Sequence, residues 1–218
     1  MTALLSELDT LLRPVIQTGR APAMRAYMRD QFEFLGIATQ DRRTAAKPLL
    51  KRYKGASAET LLAMVQSLWE LPQREYQYVA LDLLAMHCRA IQPEHIPALL
   101  EFVQHKSWWD TVDGLAAIIG DILNGRHDHM DRAIKHQDFW VRRIAILHQL
   151  GWREKVDTQR LFSYALSQGQ EKEFFIQKAI GWALRDYARH APNLIRDFVA
   201  TNKNRLAPLT VREAVKHL

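Results

Sequence analysis

The chain of 218 residues carries 30 Lys and Arg against 24 Asp and Glu, a formal charge of +6 with histidine neutral. At 48% hydrophobic and 25% charged residues it holds enough apolar material for a sizeable core, which excludes a disordered or fibrous chain. A pI near 9.5 favours acidic partners such as nucleic acid, while the single cysteine, Cys88, excludes an internal disulfide and fits a reducing cytoplasm.

The first segment, MTALLSELDTLLRPVIQ, is charged from residue 7 and lacks a small-residue cleavage site, so no signal peptide is expected. No uncharged apolar run approaches the ~20 residues needed to span a bilayer. Apolar periodicity predicts helices over 2–16, 22–34, 40–53, 57–70, 73–89, 93–105, 107–123, 127–136, 138–150, 157–167, 171–189, 192–201 and 210–217. Sustained period-2 alternation is missing, and no Asn-Gly or Asp-Gly turn joins two β-branched runs. Pro72, Pro93 and Pro192 each stand where a helix would begin, a position whose N–H has no intrahelical partner. Ser107 and Asp157 are candidate N-caps, and Thr210-Val211-Arg212-Glu213 has the spacing of a capping box. Cys88 reads as a small core residue.

From residue 57 the helices pair as 57–89, 93–123, 127–150, 157–189 and 192–217, with pair starts 36, 34, 30 and 35 residues apart. Those intervals suit stacked helix pairs, an all-α fold of the α-solenoid kind forming one domain over 1–218. The same spacings leave open a compact all-α globule with irregular packing.

Three segments carry residues that disagree with their helical position. In 107–123, Trp108, Val112, Leu115, Ile119 and Ile122 make a sufficient core stripe, whereas Trp109 and Asp113 lie one turn apart on a neighbouring face. Ala116, Ala117 and Gly120 on their side are small. An indole and a carboxylate above small residues suit the floor of a cleft, or else an interfacial tryptophan with a solvated acid beside it. In 138–150, Arg143 falls in the apolar row of Phe139, Ile146 and Leu150, while Arg142 points about 100° away, towards solvent. An arginine in an apolar arc needs an anion, either a carboxylate from an adjacent helix or a ligand phosphate. In 171–189, Ile176, Ile180, Ala183 and Tyr187 form a core row. Another face interleaves Phe175 and Trp182 with Lys178, Arg185 and Arg189, which suits a nucleic acid or, alternatively, amphipathic packing with snorkelling basic stems.

Across these segments the strings Tyr27-Met-Arg-Asp-Gln-Phe-Glu-Phe-Leu-Gly-Ile37, Arg74-Glu-Tyr-Gln-Tyr78, Lys106-Ser-Trp-Trp-Asp-Thr-Val-Asp113, Arg143-Ile-Ala-Ile-Leu-His-Gln-Leu150, Glu173-Phe-Phe-Ile-Gln-Lys-Ala-Ile-Gly-Trp182 and Leu209-Thr-Val-Arg-Glu-Ala-Val-Lys-His217 run in order over nearly the whole chain. In these motifs the sequence resembles the AlkD family of alkylpurine DNA glycosylases. The resemblance implies a curved stack of HEAT-like antiparallel helix pairs with a basic concave face. It also implies removal of N7- and N3-alkylated purines from duplex DNA, leaving an abasic site, without flipping the base into a deep pocket. By motif position, the family's catalytic aspartate falls on Asp113, its active-site tryptophans on Trp109 and Trp182, and its arginine on Arg143. Lys106, Arg142, Lys178 and Arg185 are the candidate DNA-binding side chains around them. Two departures are visible: a second arginine adjoins Arg143, and the chain stops soon after the Thr210 segment, so a short C-terminal tail is expected.

No lysine stands out as a Schiff-base nucleophile, which points to hydrolysis by a monofunctional enzyme. No cofactor or metal is expected: His127-Asp128-His129 is the only histidine cluster, no further ligands stand at metal spacing, and no glycine-rich phosphate loop occurs. The expected partner is double-stranded DNA containing alkylated purines, bound by a cytoplasmic monomer without membrane contact. Two rival classes stay open: a non-catalytic module for damaged DNA, and a protein-interaction scaffold.

Overall fold

A computed structural model describes residues 2–216 and 218; His217, the expected last residue of the final helix, lies outside them. The chain folds as thirteen α-helices among the described residues, joined by short 3₁₀ turns, with one isolated bridge between Glu33 and Gln73. They are α1 (Thr2–Leu12), α2 (Ala21–Tyr27), α3 (Thr39–Lys51), α4 (Ala58–Glu70), α5 (Arg74–Met86), α6 (Ile96–Val103), α7 (Trp109–Leu123), α8 (Asp128–Ala133), α9 (Phe139–Leu147), α10 (Thr158–Ser167), α11 (Phe174–Ala188), α12 (Pro192–Thr201) and α13 (Pro208–Ala214). No helix among the described residues is long and apolar enough to cross a membrane.

The chain divides into two compact units, residues 1–98 and 99–218. In the first, α1 packs on α3, α3 on α5, and α4 pairs with α5 through the buried stripe Leu61, Val65 and Leu68. Here the longest departure from the expected elements occurs. The helix predicted over 22–34 ends at Tyr27, because Arg29 and Asp30 both turn through φ 55°. The following strap is held by the buried Glu75, whose carboxylate accepts N–H groups from Leu35, Gly36 and Ile37 at 3.0, 2.9 and 3.1 Å. Gly36 is required there: its φ is 87°, and a Cβ would stand 2.2 Å from the Gln17 carbonyl oxygen. At the start of the chain α1 stops at Leu12, short of the expected residue 16, where Pro14 enters a 3₁₀ turn.

The second unit is ordered like a solenoid. Sequential pairs α8/α9, α10/α11 and α12/α13 pack together, and one row of helices stacks in turn, α7 on α9, α9 on α11 and α11 on α13. Carboxylates start three of these helices: Asp138 accepts from Trp140 N–H at 2.8 Å, Asp157 from Arg160 N–H at 3.0 Å, and Glu173 from Phe175 N–H at 3.1 Å. Pro192 opens α12 as expected. The other two capping expectations fail. Helix α7 begins at Trp109 with Trp108 as its N-cap residue, and the Ser107 hydroxyl instead donates to the Val103 carbonyl at the end of α6. Helix α13 begins at Pro208, two residues before Thr210, so Thr210 is buried inside the helix and donates to the Gln177 carbonyl at 3.0 Å. Cys88 is half-buried in a 3₁₀ turn rather than in the core.

Candidate functional site

The core stripe of α7 is as expected, with Val112, Leu115 and Ile119 fully buried. Rotated from it, Trp109 is the first residue of α7 and Asp113 follows one turn later. Of the small residues beyond them, Ala116 is buried, Ala117 is exposed, and Gly120 borders a surface cavity with Asp121 and Trp152. Gly120 admits the backbone of the residue after α9: a Cβ on Gly120 would lie 2.0 Å from the His148 carbonyl oxygen. Close packing therefore accounts for Gly120, and the indole and carboxylate stand at the N-terminal end of α7.

Helix α9 supplies the partner. The Arg143 side chain is 1% exposed, and its charge is met twice over by Asp113. Nε donates to Oδ1 at 2.7 Å and Nη2 to Oδ2 at 2.8 Å, while Nη1 donates to the main-chain carbonyl of Phe175 at the start of α11. This fork-to-fork geometry is the strongest form of an Arg–carboxylate pair. One guanidinium thus ties three helices together. The Asp113 side chain keeps 25% of its surface exposed. Burial pushes its carboxyl above the usual range, against the hydrogen bonds and charge of Arg143.

Trp182 of α11 lies beside the pair, with the Arg143 guanidinium carbon 5.3 Å from its ring centroid. Lys178 Nζ is 5.6 Å from the same ring. Behind Arg143, Phe175 packs on Trp108 and Trp140 at centroid distances of 5.3 and 4.8 Å, an aromatic wall on the guanidinium side of the pair. Arg143 thus touches both Asp113 and Trp182, and Trp109 shares the helix face of Asp113.

The outlying basic candidates are less alike. Lys106 occupies the turn before α7 with a left-handed backbone, φ 53°. Arg142 does not extend into solvent: its side chain is 15% exposed, Nη2 donates to Glu171 at 2.9 Å, and Nη1 donates to the His136 and Gln137 carbonyls at 2.8 Å. Lys178 and Arg185 both bind Glu213 of α13 at 2.8 Å. The Lys178 hydrogen bond, ahead of the charge and of Arg185, holds the Glu213 carboxyl below its usual range. Sequence reasoning gave Glu213 to a capping box, although two cations seven residues apart on one helix face call for an anion between them. His127 of the histidine cluster is buried and hydrogen-bonded to His148 at 3.0 Å, and no group of three or more His, Cys, Asp or Glu among the described residues is arranged to hold a metal ion.

The arrangement presents a carboxylate fixed in orientation, open on one side and bordered by an indole face. Such a group stabilises positive charge without having to reorganise. Comparison with known proteins agrees on the kind of molecule. Residues 8–218 match the sequence family described as "DNA alkylation repair enzyme". Among solved structures, a "Predicted DNA alkylation repair enzyme from Enterococcus faecalis" superposes with a TM-score of 0.86 at 32% identity, over 93% of this chain and 96% of that one. No curated protein matches.

Proposed function

The chain belongs to the family of DNA alkylation repair enzymes, and from that premise we propose that it is a monofunctional glycosylase for N7- and N3-alkylated purines in duplex DNA. Alkylation at either nitrogen makes the purine cationic and weakens its N-glycosidic bond. As that bond breaks, the bonding pair leaves with the base as a neutral alkylpurine, and positive charge develops on the deoxyribose. Asp113 stabilises that charge and orients a water molecule, whose oxygen bonds to C1′ while its proton is released, leaving an abasic site. Trp109 and Trp182 hold the cationic nucleotide through their π faces, each contributing about 0.5–2 kcal/mol.

Arg143 has no exposed surface from which to grip a phosphate, so its role is to seat Asp113. Arg142 in the same way anchors the entry to α9. Phosphate contact then falls first to Lys106, since Lys178 and Arg185 are both engaged by Glu213. One observation carries this reading: the forked Arg143–Asp113 pair set against Trp182. The test is release of free base from methylated duplex DNA, with 7-methylguanine and 3-methyladenine scored separately. The purified protein is expected to release them, and Asp113→Asn to do so more slowly while still binding duplex. No release by the wild type, or wild-type release by Asp113→Asn, overturns the proposal.

A further inference from the structure

Helix α13 approaches α11 unusually closely, and Gly181 makes this possible: a Cβ there would stand 2.4 Å from Glu213 Cβ and 3.1 Å from the Thr210 carbonyl oxygen. The close approach carries the Glu213 carboxylate onto the face of α11 that holds Trp182. One oxygen accepts from Lys178 Nζ and the other from Arg185 Nη1, both at 2.8 Å, and the Glu213 side chain is only 11% exposed. Lys178, so anchored, lies between two aromatic rings, 5.6 Å from Trp182 and 6.0 Å from Phe174. Phe174 itself is 49% exposed at the first turn of α11.

Consider the charges around Trp182. Arg143, Lys178 and Arg185 bring three cations, and Asp113 and Glu213 bring two anions. Without Glu213, three cations would surround one carboxylate. A nucleobase that is itself a cation would then be repelled from the indole, and any phosphate would be attracted. We propose that Glu213 is a specificity-determining positioning residue, which holds Lys178 and Arg185 in place and restrains them from sequence-independent capture of DNA phosphate, keeping the Trp182 face open to a cationic base. The inference deepens the glycosylase reading and rests on it for the identity of that base. The phosphate restraint is measured on undamaged DNA, with no base release involved.

The experiment titrates the intact protein against an undamaged duplex at several salt concentrations. Each phosphate neutralised adds about 0.9 to the slope of log K against log salt. Glu213→Gln, which keeps the shape and removes the charge, is expected to bind undamaged duplex more tightly at low salt. Its slope is expected to steepen by about one to two, while release of 7-methylguanine slows. Glu213→Asp keeps the charge and is expected to keep the wild-type slope. Should Glu213→Gln not fold, Lys178→Gln and the double variant Lys178→Gln/Glu213→Gln carry the test, because the two amides can pair with each other and only the part-exposed Arg185 is released. The double variant is then expected to show the steeper slope of the two. An unchanged or shallower slope in Glu213→Gln, or a double variant no steeper than Lys178→Gln, overturns the proposal. A wild-type protein that releases no base sinks the glycosylase reading while leaving the slope comparison intact.

Discussion

Among the described residues, Arg42 in the first unit and Arg143 in the second each pair with an aspartate while buried, and the two pairs are built differently. Arg143 spends Nε and Nη2 on one carboxylate and Nη1 on a main-chain carbonyl, so a single low-energy orientation satisfies all three nitrogens. Arg42 in the first unit meets Asp82 through Nη2 alone, at 3.2 Å, and its Nε is buried without a hydrogen bond. Asp82 is shared, since its other oxygen accepts from the exposed Arg43 at 3.0 Å. Burial accordingly draws the Arg42 guanidinium below its ordinary value despite Asp82. The Arg42 pair is a strap between α3 and α5. The Arg143 pair is a mount for a carboxylate, and the difference lies in how completely the guanidinium fork is used.

Breaking each pair separates these roles. Removing Arg143 leaves a mostly buried carboxylate unmatched, and Arg143→Ala is expected to cost about 3–5 kcal/mol in urea unfolding. Arg42→Ala is expected to cost less, about 1–3 kcal/mol, because Asp82 keeps Arg43; equal losses would erase the distinction. For activity the contrast is sharper. Asp113→Asn is expected to slow release of 7-methylguanine about 100–1000-fold, whereas Asp82→Asn is expected to release it at the wild-type rate.

A third pair sharpens the comparison by carrying no charge. The His148 ring is hydrogen-bonded to His127 at 3.0 Å and to the Ala145 carbonyl at 2.7 Å, and burial lowers its pKa from 6.5 to about 4. Between those values the unfolded chain takes up a proton that the folded chain refuses, so stability is full above pH 6.5 and falls as pH drops towards 4. The expected loss is about 3 kcal/mol by thermal unfolding across that window, and His148→Gln is expected to flatten it. The smallest effect separates fork from point charge. Arg143→Lys keeps the charge and gives up the paired geometry, and is expected to slow base release about tenfold, while Arg42→Lys leaves release unchanged.

Much of this was legible in the amino-acid order. Helical periodicity marked thirteen segments, and thirteen helices form among the described residues. The misplaced Arg143 announced a buried anion, which Asp113 supplies from the neighbouring helix. What stayed hidden was tertiary. The span 22–34 has helical composition, but Arg29 and Asp30 leave the helical region at φ 55°, and Glu75, forty residues beyond Leu35, holds the N–H groups of the strap that follows. Thr210 and Glu213 have capping-box spacing, yet each meets a group on α11 instead. Arg142 faces outward by helical rotation, but three oxygens from flanking segments gather it in. For Thr210 and Glu213 a polar side chain chose a remote partner over the local one that spacing suggests.

The third anchor of Arg143 is the oxygen of the peptide group at Phe175, not its ring. Seat and wallpaper are therefore separable at this position. A smaller or flatter side chain at 175 would redraw the surface against Trp108 and Trp140 while the guanidinium kept its mooring. That makes residue 175 a position where the aromatic packing can change while the main-chain anchor of Arg143 is kept.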